Sequence, residues 1–249
     1  MTVDRELILR EMGLGPVWKL RVIATAIPAA LSTAEPAAES MAPAVTEPQR
    51  EPAPPAAAAD TAGLSWDELA ATVTACRQCR LCEARKQAVL GVGDRNADWL
   101  FVGEGSGAEE DLRGEPFVGQ AGKLLDSMLA AIGLRRGEGV YIANAVKCRP
   151  PENRTPTPEE TATCWPYLER QIALIQPKLI VALGRPAAQT LLQAEVKIGA
   201  ARGRLHDYRG IPLIVTYHPA YLLRTLQDKA RAWEDLCFMR RTMNKSKGD

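Results

Sequence analysis

Apolar residues fall in short runs along most of this chain, and four of those runs read as buried strands. WLFVG (99–103), VYIAN (140–144), KLIVALG (178–184) and PLIVTY (212–217) are rich in β-branched and aromatic residues and bounded by polar residues or glycine. Continuous apolar strands of this kind belong to sheets covered on both faces. Between them apolar positions recur at helical spacing, in AGKLLDSMLAAIGL (121–134), TPEETATCWPYLERQIALI (157–175), RPAAQTLLQ (185–193) and a last helix over about 228–243. Ser65, with Glu68 three residues on, marks a capping-box start for a helix through WDELAATVTAC. The alternation predicts an α/β fold: a three-layer α/β/α sandwich around a central four-stranded, mostly parallel sheet. Its cleft is expected at the carboxyl ends of the strands.

Toward the N-terminus the pattern fades. DRELILREMG (4–13) places Leu7, Ile8 and Met12 at helical spacing before a glycine stop. Ala and Pro then dominate, as in EPQREPAPPAAAAD, a composition that cannot bury a core. Three segments are therefore expected: a short helical piece over 1–23, a disordered linker over 24–62, and a folded domain over 63–245. The tethered first segment could dock an unknown protein partner or pack on the body, and the sequence leaves that choice open.

Composition adds limits. The 249 residues are 46% hydrophobic and 24% charged, as in an ordinary globular protein. A formal net charge of +1 conceals an uneven distribution: residues 1–60 carry five Lys/Arg against eight Asp/Glu. The remainder is mildly basic, too mildly to mark a nucleic-acid binder by charge alone. No long apolar run predicts a membrane span. The start MTVDRELILREMG lacks the features of a secretory signal, so a cytoplasmic location is expected. In that reducing compartment six cysteines serve metals or chemistry rather than disulfides.

Four of the six make two distant pairs. Cys76 and Cys79 sit in Cys-Arg-Gln-Cys, and Cys148 and Cys164 follow much later with fifteen residues between them. Four thiolates suit either a [4Fe-4S] cluster or zinc, and spacing alone does not choose. Cys82 forms a second Cys-x2-Cys with Cys79, while Cys237, in WEDLCFM, is expected in the core. Three polar signals lie at strand ends. GEGSG follows WLFVG, Asn144 closes VYIAN, and His218 follows PLIVTY, so one sheet edge would gather all three. His206, in GRLHDYRG, is expected in a polar surface turn. The glycine loop matches neither Gly-x-Gly-x-x-Gly nor a P-loop, which argues against a nucleotide cofactor.

These residues carry a resemblance. The Cys-x2-Cys start with Leu81 and Arg85, the segments GEGSGAEED and GEPFVGQAGKLLDSML, then NAVKCRPPENRTPTPEE and HPAYLLR, occur in the order found in family-4 uracil-DNA glycosylases. From Leu64 to Met243 the chain resembles that iron–sulfur family. One departure is Ser106, where the family usually has proline; serine frees φ and adds a donor. The resemblance implies a monomeric base-excision-repair hydrolase. It would cut the N-glycosidic bond of uracil in single- or double-stranded DNA and leave an abasic site, after flipping the base into a pocket.

It also implies roles. Phe117 would stack on the flipped ring, and Asn144 would pair with its N3–H and O4 edge. His218 would stabilise charge on O2 as uracil leaves, with the Gly103 and Gly105 backbone close by. Glu104, and next Glu110, would orient the water or steady the sugar cation; the plainer alternative is a helix start favouring acidic residues. Tyr221 and Leu222, with Leu223, would wedge into DNA while Arg224 holds a phosphate. Cys76, Cys79, Cys148 and Cys164 would bind the [4Fe-4S] cluster, leaving Cys82 over. Two competing readings are a uracil-DNA binder without turnover and a cluster-bearing structural subunit. The covalent-trapping branch of the superfamily carries a basic, histidine-containing insertion that KCRPPENRTPTPEE lacks.

Overall fold

Five-residue apolar stretches with every side chain buried build the centre of the molecule. A computed structural model describes residues 60–245. Strands β2 (Trp99–Gly103), β3 (Val140–Asn144), β4 (Leu179–Leu183) and β6 (Ile211–Thr216) run parallel in the order β3-β2-β4-β6. Burial on both faces is what a parallel sheet between helices demands. Alternate residues feed two cores. Leu100, Val102, Ile180 and Ala182 face one side; Trp99, Phe101, Leu179 and Val181 face the other.

Helices cover both sides. On the first face lie α5 (Pro158–Ile175) and α6 (Arg185–Leu192), which contribute Leu168, Ile172, Ala188 and Leu191. On the second lie α4 (Gln120–Ala131) and α9 (Lys229–Lys245), with Leu125, Leu129, Leu236 and Met239. At the amino end α1 (Trp66–Ala75) and the single turn α2 (Leu81–Ala84) form a third cluster with Cys148, Cys164 and Tyr167. Three more short α-helices lie among the described residues: α3 (Ala108–Arg113), α7 (Ile198–Ala201) and α8 (Pro219–Arg224).

The sheet has six strands rather than the expected four. β1 (Val92–Gly93) and β5 (Leu205–Tyr208) close its edges, both antiparallel to their neighbours. β1 is too short to leave a pattern, and β5, LHDY, is mostly exposed, so it shows no apolar run. A two-residue turn at Arg209 and Gly210, both with positive φ, folds β5 back on β6. His206 therefore lies in a strand rather than a turn, and its Nε2 is 2.8 Å from the Ala201 carbonyl. Cys237, expected in the core, is half-buried. The expected N-terminal helix and nearly all of the expected linker lie outside the described residues.

Capping fixes where the key helices begin. Thr157 Oγ1 accepts from Glu160 N at 3.2 Å, Thr157 N donates to the Glu160 carboxylate at 2.8 Å, and Pro158 supplies a ready φ. Helix α5 carries Cys164, so its start sets the cysteine site. We expect Thr157→Ala to cost about 1 kcal/mol, read as a lower urea midpoint with an unchanged slope. An unaltered midpoint would show that the cap contributes nothing.

Candidate active site

Because β2, β3, β4 and β6 are parallel, their carboxyl ends meet at one edge, and a cavity of about 1000 Å³ opens there. The three polar signals do converge. Glu104, Phe117, Asn144 and His218 line this one cavity, together with Gly105, Ser106 and Glu110.

Register explains the first contact. Gly103 pairs with Asn144 across β2 and β3, and a Cβ on Gly103 would collide with Asn144 Oδ1 and lie 2.6 Å from Phe117 Cζ. Glycine is required at 103 so that amide and ring can close over the strand end. Gly103 thus sits behind the cavity wall rather than in it. Asn144 is 1% exposed, and its Oδ1 has no hydrogen-bond partner among the described residues. A buried amide oxygen left open in this way is costly unless something else pairs with it.

Phe117 is held from several sides. Its φ of +55° is unusual for a large side chain, so the surroundings must impose it. Arg136 does so by donating to the Pro116 and Phe117 carbonyls, both at 2.8 Å, while Asp126 orients the guanidinium. Gly122 does so by its lack of a side chain, since a Cβ there would overlap the Phe117 carbonyl. Glu110 adds a third restraint: its carboxylate accepts from Gly107 N at 3.1 Å, Val118 N at 2.9 Å and Gly119 N at 3.1 Å. Those bonds engage both oxygens, so Glu110 acts as a brace between the glycine loop and the Phe117 loop.

His218 caps α8, and Ala220 N donates to its Nδ1 at 3.1 Å. An accepting Nδ1 leaves the proton on Nε2, a neutral tautomer assigned from this bond. Burial pushes the imidazole down to about 4, helped by Arg224 and opposed by Glu110. Its ring lies 5.4 Å from that of Phe117. Burial also raises the Glu104 carboxyl above its ordinary value, with the Thr155 hydroxyl and Arg185 pulling the other way. Ser106 Oγ is buried in the same wall without a partner among the described residues.

The segment after His218 needs one correction. Leu222 is 1% exposed and belongs to the core under the sheet, so it cannot reach DNA. A helix beginning at Pro219 turns Leu222 inward and leaves Tyr221 (37%) and Leu223 (42%) exposed, with Leu226 (63%) exposed just beyond its end. Tyr221 stacks on Tyr217 with centroids 5.3 Å apart, and its hydroxyl donates to Asp228 at 2.6 Å. Arg224 lines the cavity, as do Arg154, Arg185 and Arg231, which the sequence reading missed. Four separated arginines leave no cluster in the sequence; only the fold collects them.

Cys76, Cys79, Cys148 and Cys164 line a second, small cavity together with Arg85 and Lys147; Cys82 is not among its lining residues. Arg85 donates to Cys148 Sγ at 2.8 Å, and Lys147 N donates to Cys164 Sγ at 3.3 Å. Burial pushes the Cys148 thiol up to about 11 and that of Cys164 up to about 12. Among the described residues no three His, Cys, Asp or Glu side chains stand together as a ready metal-binding group. A donor set of four thiols with two cations beside it nonetheless suits an anionic thiolate-ligated centre.

The fold and cleft define a class. Residues 90–237 match the sequence profile described as Uracil DNA glycosylase superfamily. Among curated proteins, the type-4 uracil-DNA glycosylase of Archaeoglobus fulgidus is 48% identical over 167 residues, covering 64% of this chain and 83% of the relative. That of Thermotoga maritima is 47% identical over 161 residues with the same coverage. A type-5 uracil-DNA glycosylase of Pyrobaculum aerophilum reaches 34% over 146 residues, covering 52% of this chain and 64% of the relative. The chain belongs to the type-4 uracil-DNA glycosylase family.

With only two histidines in the chain, NMR can follow the His218 ring directly. We expect a titration midpoint near 4, well below the ordinary 6.5. The unfolded chain then binds more protons between about pH 6.5 and 4, so the His218 contribution to stability is lost as pH falls through that window. A midpoint near 6.5 would show that the fold does not depress the imidazole.

Proposed function

We propose that this chain excises uracil from DNA by the residues gathered at the sheet edge. The observation that carries the residue assignment is the open, buried Asn144 amide beside Phe117 and His218 in one cavity. Uracil offers an N3–H donor beside an O4 acceptor, the complement of an amide. Cytosine reverses both, would leave buried groups unpaired, and is rejected for that reason. Phe117 supplies the face for the ring.

The bond between sugar C1′ and uracil N1 breaks with its electron pair leaving on the base. The neutral His218 donates Nε2–H to O2, where negative charge collects, and needs no proton exchange to do so. A water oxygen bonds to C1′, and one of its protons ends on the departing base. Glu104 orients that water and, as a carboxylate, steadies the sugar cation. Glu110 serves by holding the loops. Arg154, Arg185, Arg224 and Arg231 meet phosphates, and Leu223 with Leu226 offers the apolar surface that fills the space of the flipped base.

The resident cofactor we assign is a [4Fe-4S] cluster on Cys76, Cys79, Cys148 and Cys164. When bound there, it would supply a crosslink between the end of α1, helix α5 and the loop after Asn144. We assign the catalytic domain to residues 63–245 and take it to act as a monomer. No helix among the described residues is long and apolar enough to cross a membrane.

A uracil-containing oligonucleotide, incubated with the protein and then alkali, is expected to break at the uracil; an intact strand would reject the enzyme. Asn144→Ala and His218→Ala should each slow single-turnover release at least tenfold, about 1.4 kcal/mol of transition-state stabilisation. Normal rates in both would reject the pocket. The acid limb of the rate profile should lie above the ordinary carboxylate value of 4.5 and vanish in Glu104→Gln. A limb unchanged by that substitution would remove Glu104 from its role. Brown colour in the purified protein, lost in Cys148→Ala, marks iron; a colourless zinc protein would overturn the cofactor.

A further inference from the structure

We propose that Lys147 is a positioning residue through which the cysteine site fixes the base-reading Asn144. This rests on the uracil reading of the pocket. Lys147 is 1% exposed, among the most deeply buried side chains of the molecule. Its Nζ donates to the Asn144 main-chain carbonyl at 2.7 Å and to Gln171 Oε1 at 2.5 Å. Gln171 is itself anchored, donating to the Leu90 carbonyl at 2.9 Å and contacting the Tyr141 hydroxyl at 3.2 Å. On its other side Lys147 precedes Cys148, and its own N–H reaches Cys164 Sγ. One residue thus touches the pocket asparagine and the Cys164 sulfur.

An apolar side chain of the same volume would fill this space without the penalty of a buried ammonium. A cation here has two acceptors in place, the Asn144 carbonyl and Gln171 Oε1, beside the four-cysteine cavity that its residue helps to line. The intervening segment is also pinned, with Ala145 N on the Gly103 carbonyl and Val146 N on that of Glu104. Asn144 itself ends β3 opposite Gly103, and the lysine adds a bond to its carbonyl where the strand gives way to the loop. An ångström of backbone movement there would swing the amide away from the uracil edge.

A double-mutant cycle on free-uracil affinity, measured by calorimetry on the iron-loaded protein, tests this. Lys147→Met is expected to weaken uracil binding roughly tenfold in the wild-type background and to have little further effect in Asn144→Ala. The visible chromophore reports that the cysteine site is intact. Equal losses in both backgrounds, or no loss in either, would overturn the proposal. Should Lys147→Met prove insoluble, Gln171→Leu enters the same cycle. It keeps the lysine and removes its second acceptor, and coupling to Asn144 or its absence decides in the same way. A wild-type protein that neither binds uracil nor releases it from DNA would instead sink the reading of the pocket itself.

Discussion

The pocket depends on the absence of a side chain at the end of β2. Gly103 is paired with Asn144, and the space a Cβ would take is filled by the Asn144 amide and the edge of the Phe117 ring. Parallel pairing sets the register, so strand order and pocket shape are one constraint. Larger residues at 103 would push both groups outward together. Their mutual placement therefore starts from the sheet register, to which Arg136 and Glu110 fix the Phe117 loop. Gly122 repeats the device one layer out, where the Phe117 carbonyl packs against helix α4.

Charge is handled by the same economy. The cavity contains an open amide oxygen, an open hydroxyl at Ser106 and a depressed histidine, each carrying a cost that the folded chain tolerates. Such costs persist where a ligand meets them. Burial that keeps His218 neutral also strengthens whatever bond its Nε2–H makes, because a low dielectric amplifies both effects. A positively charged imidazole would bind a departing anion more strongly, but it would also hold product. In the proposed reaction a neutral donor would gain strength as charge develops and lose it when uracil leaves.

Much of the centre was legible in the sequence because burial on both faces forces unbroken apolar runs. Trp99–Gly103 and Val140–Asn144 are read to the residue for that reason. Edge strands escape the rule: Leu205–Tyr208 is half polar and exposed, and Val92–Gly93 has no length to show a period. Phe117, Asn144 and His218 could be found because each follows a strand or lies in a glycine-flanked loop. The wedge could not be resolved in the same way. In HPAYLLR the two leucines are equivalent as letters, and only the phase of a helix starting at Pro219 turns Leu222 inward and Leu223 out. Arg136 and Glu110, which fix the Phe117 loop through backbone bonds, act on carbonyls and amides that no side-chain pattern reveals.

Lys147 and Gln171 are the strongest case of what the sequence hides. A lysine two residues from a proline-rich loop reads as a surface charge, yet it is enclosed. Burial pushes its ammonium down to about 8, with Cys164 and Cys148 drawing it back up. The same thiols are raised by their own burial; Lys147 draws Cys164 back down, and Arg85 does so for Cys148. A bound metal centre would hold the sulfurs as thiolates and thereby hold the cation. Pocket and cysteine site are then parts of one electrostatic arrangement, joined through the three residues that separate Asn144 from Cys148. Short chain distance, rather than a long-range pathway, makes that coupling physically direct.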